Sequence, residues 1–583
     1  MNKKNQKRQC SLWRKALIAV AVSSCLSHAP IILASGDPTG QLKGVVKAYS
    51  GAQIANAKVV ITHTDKGFSR EVSADANGEY ILKNLPVGTY QVTISKDGFD
   101  SLKQENLVIN VGTTASLDAT LVSGSVERIT VTGAKLAQID LTNSSAGLVV
   151  TSAELAKLPV AEDVTSVILM APGTSAADSD FGNIASISGA SAAENGYYLN
   201  GLDITDMRKG MGWTTFPWEA VKETQVITGG VSSQFGRFIG GVTNLVSKSG
   251  SNEWHASAKL DYQPKGLAET SPDLNWYDNQ GRYDLLINNH EDSSDWRELS
   301  VSFSGPIIED KMFFYVLYAP SKYQETYANP GALKNSAGVP VNSTYWSNQR
   351  DRDQLFANVD LYLFSDHSIN LMYTSSQADY ENTQSLYNIV SGPFSAKRPI
   401  SSERESSFAS ISYRGSITED ITFSTTLGRV KDEYSAVDGT TLLNPIVDER
   451  TSANTPVGGW IGVSDDINGD QRDLFRFDLE WALDNHTIKF GYDKEEIESW
   501  RDFHYHGPTP PLNEYLLYRT TAGGFSVNGD NGAFNVPIGD YARGRVFAKV
   551  ANIKGESEAW YVEDSWQVHD HVVLNVGLRN EVF

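Results

Sequence analysis

The sequence predicts a mainly β protein made of several domains, and three observations support this prediction. The chain has 583 residues, which exceeds the size of a single hydrophobic core. Glycine and aromatic residues are abundant, with 48 Gly, 25 Tyr, 22 Phe and 12 Trp, as expected for many strands joined by turns. Apolar and polar residues alternate in many short segments, for example 299–303, 421–427 and 572–579, and this period of two is typical of strands with one buried face.

Composition restricts the functional classes. The chain has 49 Lys and Arg residues against 70 Asp and Glu, a net charge of −21, whereas nucleic-acid binding needs a basic face that neutralises phosphates. The two cysteines, Cys10 and Cys25, both lie near the N-terminus, which excludes a disulfide framework or a cysteine metal site from the body of the chain. No apolar run reaches the roughly 18 residues of a transmembrane helix. A transmembrane β-barrel remains compatible with this composition, because its lipid face is hidden in the alternation.

Residues 1–35 have the pattern of a secretory signal peptide. Six basic residues and no acidic residue lie in segment 1–15, an apolar stretch follows in 16–26, and small residues occupy 34–36. This order of a basic, an apolar and a small-residue region is typical of a bacterial export signal. A cytoplasmic amphipathic helix is the alternative. The continuation of the apolar run beyond Cys25 favours ordinary cleavage over lipoprotein processing.

Residues 39–122 are predicted to form a β-sandwich. Short alternating strands are separated by turn signals, among them Asp-Ala-Asn-Gly at 75–78. The elements D-A-N-G-E-Y at 75–80, L-P-V-G-T-Y at 85–90 and G-F at 98–99 resemble the carboxypeptidase regulatory-like domain, which is a transthyretin-like sandwich without catalytic activity. The resemblance leaves two roles open: a rigid spacer, or a surface for periplasmic partners or glycans.

Residues 134–252 carry an ordered series of short motifs. N-G-L stands at 200–202, F-G-R at 235–237, G-G-V-T-N at 240–244 and K-S-G-S-N at 248–252. Their order and spacing resemble the plug domain of TonB-dependent outer-membrane receptors, and the preceding sandwich is similar to the Oar-like branch of that family. A phosphate-binding loop would also concentrate glycines, but its G-x-x-x-x-G-K-[ST] pattern is missing.

Residues 126–133, between the sandwich and the plug, are predicted to form the TonB box. The segment is short, β-branched and alternating, and such a strand can add to the edge of a partner's sheet. The pattern alone is also typical of an ordinary linker. Beside a plug, the resemblance implies that the inner-membrane protein TonB is the partner. The residues implied to bind TonB are Glu127, Arg128, Ile129, Thr130, Val131 and Thr132.

Residues 253–583 are predicted to form part of an antiparallel transmembrane β-barrel. One apolar and one polar face on each strand is what a barrel between lipid and a wet lumen requires; a soluble β-sandwich is the alternative. Segments 305–315 and 561–579 resemble strands of Oar-like receptors. Roughly 13 candidate strands are present, whereas the resemblance implies about 22. Phe583 falls on the polar face of the last strand. The hypothesis is therefore a truncated receptor.

Five residues of the predicted plug are candidates for specific roles. The resemblance implies that Arg237 is a latch that pairs with carboxylates of the barrel wall. Arg208 and Lys209 offer positive charge to an anionic group of a ligand, and Trp213 and Phe216 offer aromatic faces to an apolar group or a sugar. The alternative is that these side chains only pack or face solvent.

No cofactor, metal or catalytic residue is predicted, and the chain is not expected to be an enzyme. The acidic segment 465–470 resembles half of a calcium loop, but Gln471 and Phe477 stand where that loop needs glycine and glutamate. His569 and His571 have no third ligand nearby in the sequence.

The resulting prediction is a TonB-dependent receptor of the cell outer membrane that imports an external ligand. Its sandwich and TonB box would be periplasmic. Its expected partners are TonB, outer-membrane lipid and a ligand whose identity the sequence does not give, and nucleic acid is not among them. Two alternatives stay open: an adhesion or sensory receptor on the same scaffold, and an incomplete fragment that does not transport.

Overall fold

The computed structural model describes a mainly β chain. The described residues are 39–123, 129–131, 146–178, 182–267, 269, 271–277, 283–287, 289–290, 292–334, 340–364, 366–388, 394–418, 420–436, 446–448, 455–456, 464–483, 485–505, 514–520, 525–529, 532–536, 539–545, 548–569 and 572–583. The predicted signal peptide lies outside them. Within these ranges, no helix combines the length and the apolarity needed to cross a membrane.

The first unit is a sandwich of two sheets. One sheet has the order β4-β1-β7, with β8 also paired to β1, and the other has the order β3-β2-β5-β6-β9. Alternate residues of these strands, such as Leu42, Ile61 and Tyr90, are fully buried between the sheets, which is the expected result of a period of two. The strands are β1 (Thr39–Ala48), β2 (Lys58–His63), β3 (Ser69–Ser73), β4 (Glu79–Pro86), β5 (Gly88–Ser95), β6 (Leu102–Ile109), β7 (Thr114–Ser116), β8 (Ala119–Leu121) and β9 (Ile129–Val131).

The second unit is an α+β domain around a sheet of order β10-β15-β16-β13-β14. Helix α1 (Ser152–Leu155) begins at a capping box, in which Thr151 and Glu154 satisfy each other's backbone N–H groups. The remaining elements are helix α2 (Val164–Ile168), strands β10 (Ala146–Thr151), β11 (Thr174–Ala176), β12 (Ala185–Ile187), β13 (Gly196–Leu199), β14 (Leu202–Asp203), β15 (Val221–Gly229) and β16 (Val242–Ser247), and 3-10 turns at Ala192–Glu194 and Trp218–Ala220.

The third unit is a wall of 11 antiparallel strands, which confirms the predicted partial barrel. Its end strands, β17 and β35, do not pair with each other. The wall strands, in order, are β17 (His255–Gln263), β20 (Ser293–Ile308), β21 (Met312–Lys334), β22 (Pro340–Phe364), β23 (His367–Asn388), β24 (Phe394–Ser416), β25 (Ile421–Ala436), β28 (Ser464–Leu483), β29 (His486–Tyr505), β34 (Ala548–His569) and β35 (Val572–Val582).

Shorter strands lie in the connections between wall strands. β18 pairs with β19 and β31 with β32, while β27, β26, β30 and β33 form a small sheet in that order. The sequence-based estimate of roughly 13 candidate strands thus differs from the 11 wall strands among the described residues. The bounds are β18 (Leu274–Tyr277), β19 (Tyr283–Ile287), a 3-10 turn before them at Lys265–Leu267, β26 (Ile446–Asp448), β27 (Thr455–Pro456), β30 (Glu514–Thr520), β31 (Phe525–Gly529), β32 (Gly532–Val536) and β33 (Gly539–Arg545).

The wall separates an apolar outer face from an inner face that encloses the second unit. Leu371, Ile411 and Leu427 face each other across β23, β24 and β25 and are 44%, 37% and 46% exposed. On the inner face, Met372 and Phe408 are buried in one cluster with residues of the second unit. Each strand therefore directs successive side chains to two different environments, as the alternation predicts.

A charge on the outer face should impair assembly of the wall. We expect Ile411→Arg to cost about 2–4 kcal/mol if it lies near the bilayer midplane, because the guanidinium would enter lipid. The measurement is the amount of protease-resistant protein in isolated outer membranes. Ile411→Val is the control and should behave as the native chain; full assembly of Ile411→Arg would contradict the assigned orientation of β24.

The sandwich contains a buried neutral histidine. His63 lies against Phe68 and Tyr90, with ring centroids 5.3 and 4.7 Å away. Burial, followed by the positive charges of Lys66 and Lys222, lowers the pKa of His63 to about 2. A folded-state pKa below the ordinary value of 6.5 means that the unfolded sandwich binds a proton more readily than the folded one.

The sandwich should therefore lose stability in acid. Below pH 6.5, His63 should cost about 1.4 kcal/mol of unfolding free energy per pH unit, because protonation favours the unfolded state. The measurement is the calorimetric transition of the sandwich in the detergent-solubilised chain at pH 7.5 and 5. His63→Gln should flatten this dependence, and an equal pH effect in both proteins would exclude His63 as its source.

Candidate functional site

Arg237 fastens the second unit to the wall. Its guanidinium pairs with Asp493 at 3.2 Å and with Glu495, both on β29. Burial alone would lower the pKa of Arg237, but the carboxylates of Glu495 and Asp203 raise it above its ordinary value. The backbone of Arg237 is left-handed, with φ of 62°, a conformation that costs about 1–3 kcal/mol in a residue other than glycine. The ion pairs therefore hold the turn in a geometry that the residue alone disfavours.

The turn around Arg237 fits closely against the last described strand. Gly236 lies where a Cβ atom would collide with the side chains of Arg579 and Glu581 of β35. The carbonyl of Gly236 accepts a hydrogen bond from the hydroxyl of Tyr198 at 2.9 Å. In the F-G-R motif, Gly236 thus allows the wall to approach closely, and Arg237 provides the cation that pairs with carboxylates of the wall.

Further buried charges extend this contact. Arg472 of β28 lies 3.3 Å from the carboxylates of both Asp203 and Glu495, and Arg579 lies 2.6 Å from Asp493. The five side chains alternate in charge and are at most 13% exposed, so their interaction is screened little by salt. Because an unpaired buried charge is costly, the network favours one seating of the second unit in the wall.

The loop after β14 contacts the wall through a second set of ion pairs. Nε of Arg208 lies 2.9 Å from Asp470 of β28, and Nη2 donates to the carbonyl of Trp500 at 3.1 Å. Asp206 lies 3.3 Å from Arg404 of β24. Arg208, which the sequence analysis assigned to a ligand, is therefore engaged by the wall in this structure.

The other three candidate ligand residues lie in different surroundings. Lys209 is exposed. Trp213 packs on Tyr197 at a centroid distance of 5.1 Å, and Phe216 packs edge-on against Phe356 of the wall at 5.4 Å. Ligand binding by these four residues stays a prediction, and the aromatic pair is half-buried and packs inside the molecule.

The described part of the predicted TonB box, here called the coupling segment, lies on the sandwich. Residues Ile129–Val131 form β9, which pairs in parallel with β6 through Leu102–Ile129, Lys103–Thr130 and Gln104–Val131. Glu127, Arg128 and Thr132 lie outside the described residues. The edge strand of the sandwich is thus where this segment is held.

Comparison with known proteins identifies the three units. Residues 41–122 match the carboxypeptidase regulatory-like domain, 140–242 the TonB-dependent receptor plug domain, and 319–583 an outer-membrane β-barrel domain. A stretch of 294 residues is 28% identical to the TonB-dependent transporter Oar of Myxococcus xanthus.

The three domain matches and the similarity to Oar support a TonB-dependent outer-membrane receptor. It is of the Oar-like type, it is located in the outer membrane, and the members of this family are receptors and transporters, not enzymes. The match to Oar covers 48% of this chain and 27% of Oar, so the receptor sequence spans about a quarter of this curated relative.

Two solved structures are similar to this receptor. The outer-membrane transporter YddB of Escherichia coli is 14% identical, with a TM-score of 0.48 and coverage of 75% of this chain and 56% of that one. The ferric-catecholate import receptor Fiu of E. coli K12, in an open form, is 12% identical, with a TM-score of 0.44 and coverage of 77% and 71%.

Sequence reasoning did not identify the wall side of these contacts. The partners of the plug on β28 occupy alternate positions, among them Asp470, Arg472 and Arg476. A signal was present: in a strand with one lipid face, charges that recur every second residue must point into the lumen. Applied to 470–480, that rule would have located the charged inner face of the receptor.

Removing the cation of the plug should loosen it. We expect Arg237→Met to cost about 3–5 kcal/mol, because Glu495 and Asp493 lose a buried partner. The measurement is the urea concentration at which thermolysin cleaves the plug in isolated outer membranes. Combining Arg237→Met with Glu495→Gln should recover part of the loss. The control is Lys58→Met, which removes an exposed pair with Glu71; equal midpoints for Arg237→Met and the control would contradict a fastening role.

Proposed function

We propose that this receptor binds an external ligand and imports it with energy transmitted by TonB, which engages residues 127–132. The observation that supports this most directly is the position of the plug. The plug packs on the inner face of the wall and is fastened there by buried ion pairs such as Arg237–Glu495 and Arg472–Asp203. A plug held in this way obstructs the space enclosed by the wall, and its release requires work.

The fastening also suits a plug that moves. A purely apolar contact resembles a protein core, whereas charged groups regain hydration when they separate. The apical contacts Arg208–Asp470 and Asp206–Arg404 lie in the plug loop that the sequence analysis assigned to the ligand. A charged ligand that competes for these partners would weaken the same fastening from the outside.

The alternative is a receptor for adhesion or sensing. The observation that favours it is the length of the central wall strands, which reach 25 residues in β22, whereas a bilayer needs about 9–11. Such strands project far from the lipid and offer a large surface to other cells or to a substratum.

Disrupting the coupling segment should separate the two functions. In the double variant Ile129→Pro and Val131→Pro, we expect disulfide cross-linking from Thr130→Cys to a cysteine-substituted TonB to disappear, because proline cannot donate to a strand ladder. Ile129→Val with Val131→Ile is the matched control. Residues 26–583 contain no other cysteine, which makes the product unambiguous.

Surface attachment measured on the same cells tests the alternative. If attachment requires the receptor but is unchanged in the proline variant, and Thr130→Cys never cross-links to TonB, the adhesion role is supported and energy-coupled import is contradicted.

A further inference from the structure

The sandwich packs directly against the inner face of the wall. Nζ of Lys66 lies 2.7 Å from Asp360 and 3.2 Å from the hydroxyl of Tyr362, both on the inner face of β22. Phe68 stacks on Tyr362 with a centroid distance of 4.6 Å and an interplanar angle of 19°. Tyr362 and Phe313 of the wall belong to the same apolar cluster as the core of the sandwich.

A second anchor lies on β28. Nζ of Lys83 is 2.9 Å from Glu480, and Nε2 of Gln41 donates to the same carboxylate at 3.0 Å. The side chains of Lys83 and Glu480 are 2% and 12% exposed. The two anchors lie on β22 and β28, which are separated by three wall strands, so the sandwich bridges a wide arc of the wall.

The sandwich also contacts the plug. Lys222 donates to the carbonyl of Val87 at 2.7 Å, and Glu223 accepts from the backbone N–H of Val111 at 3.0 Å. Because both residues are on β15, one strand of the plug carries both contacts. The sandwich therefore holds wall and plug together at the same end of the lumen.

These anchors have the chemistry of a lasting but reversible contact. Burial alone would lower the pKa of Lys66, but the carboxylate of Asp360 raises it above its ordinary value, so the lysine stays charged. If the sandwich were only a spacer on a flexible tether, its ion pairs would be exposed to solvent. The pair Lys58–Glu71 is of that kind, because both of its side chains are 53% exposed. Buried ion pairs instead make partial separation of the sandwich from the wall unfavourable, because each charged partner would be unpaired before it regains water.

A polar cavity of about 1190 Å³ lies between the three units. It is lined by the sandwich, the plug and the inner wall, for example by Thr114, Gln225, Thr422, Lys489 and Asn575. Its volume slightly exceeds the roughly 300–1,000 Å³ of typical small-molecule sites. Strands of the sandwich form part of the lining, through residues such as Lys43 and Tyr80, so a solute that passes the plug into this cavity meets the sandwich.

We propose that the sandwich is a second, periplasmic stopper of the lumen, anchored by Lys66–Asp360 and Lys83–Glu480, and that it must be displaced for transport. The proposal rests on the proposed function in one respect, the source of the force. The coupling segment pairs with β6 of the sandwich. A force applied to that segment would therefore act on the sandwich before it acts on the plug. The order of events is then stopper first, plug second.

Disulfide trapping tests the docking without any ligand. The backbone N–H of Asn252 donates to the carbonyl of Asp65 at 2.8 Å, so the two backbones lie close enough for a disulfide, which spans about 4.4–6.8 Å between Cα atoms. We expect Asp65→Cys with Asn252→Cys to cross-link almost completely in isolated outer membranes. Adding Lys66→Met and Lys83→Met should reduce the cross-linked fraction by more than half, because Asp360 and Glu480 would each lose the buried lysine of the sandwich that neutralises it.

Two controls identify the cause of such a loss. Lys58→Met removes an exposed pair and should leave cross-linking unchanged. Adding Asp360→Asn and Glu480→Gln to the lysine variants should restore much of it, since the stranded charges are gone. Absent cross-linking in the parent, or equal cross-linking with and without the anchor lysines, would overturn the docking.

Energised cells test the displacement. We expect the fraction of Asp65→Cys, Asn252→Cys protein that cross-links to fall when TonB is present and the proton-motive force is intact. When either is removed, the fraction should return to the value measured in isolated outer membranes. If Thr130→Cys captures TonB while the Asp65–Asn252 cross-link stays complete, the stopper is refuted and energy coupling stands. If Thr130→Cys does not capture TonB but the anchors behave as expected, the proposed function fails and the docking stands.

Discussion

The wall strands can cross lipid because each backbone N–H and C=O group finds its partner on a neighbouring strand. That requirement imposes extended strands, and extended strands impose two faces with opposite polarity. The outer row of Leu371, Ile411 and Leu427 is compatible with lipid, and the charged residues of the wall lie on the inner face beside the apolar side chains that pack on the plug. The plug and the sandwich are consequently held by buried ion pairs in addition to apolar packing, and their charged contacts with β22, β28 and β29 follow from the constraint on the wall.

Much of this architecture could be predicted from the sequence, because it depends on local patterns. Turn chemistry at 75–78, alternation along the wall and the capped start of α1 at Thr151 each require only neighbouring residues. The glycines and Arg237 of the plug motifs could be found in the same way. What those patterns lack is the partner: nothing near Arg237 in sequence indicates Glu495, which lies more than 250 residues later.

The sandwich also shows that distant contact partners cannot be predicted from local patterns. Its own fold depends on alternation and turns, and it was recognisable. Whether it is a spacer or a functional surface depends on Lys66 and Lys83, which look like ordinary solvated lysines in the sequence but are buried against carboxylates of the wall. The ligand candidates show the reverse case, since Arg208 was expected to be available and is engaged by Asp470.

In the transport cycle proposed above, the left-handed backbone of Arg237 would have a consequence for the return of the plug. Once the guanidinium leaves Asp493 and Glu495, nothing in the residue itself favours a φ of 62°, and the turn relaxes to commoner conformations. Re-entry then requires the turn to be reformed before the ion pairs can close. Opening and resetting thus follow different courses, and the interval between two cycles depends on a local search within the plug in addition to the supply of force.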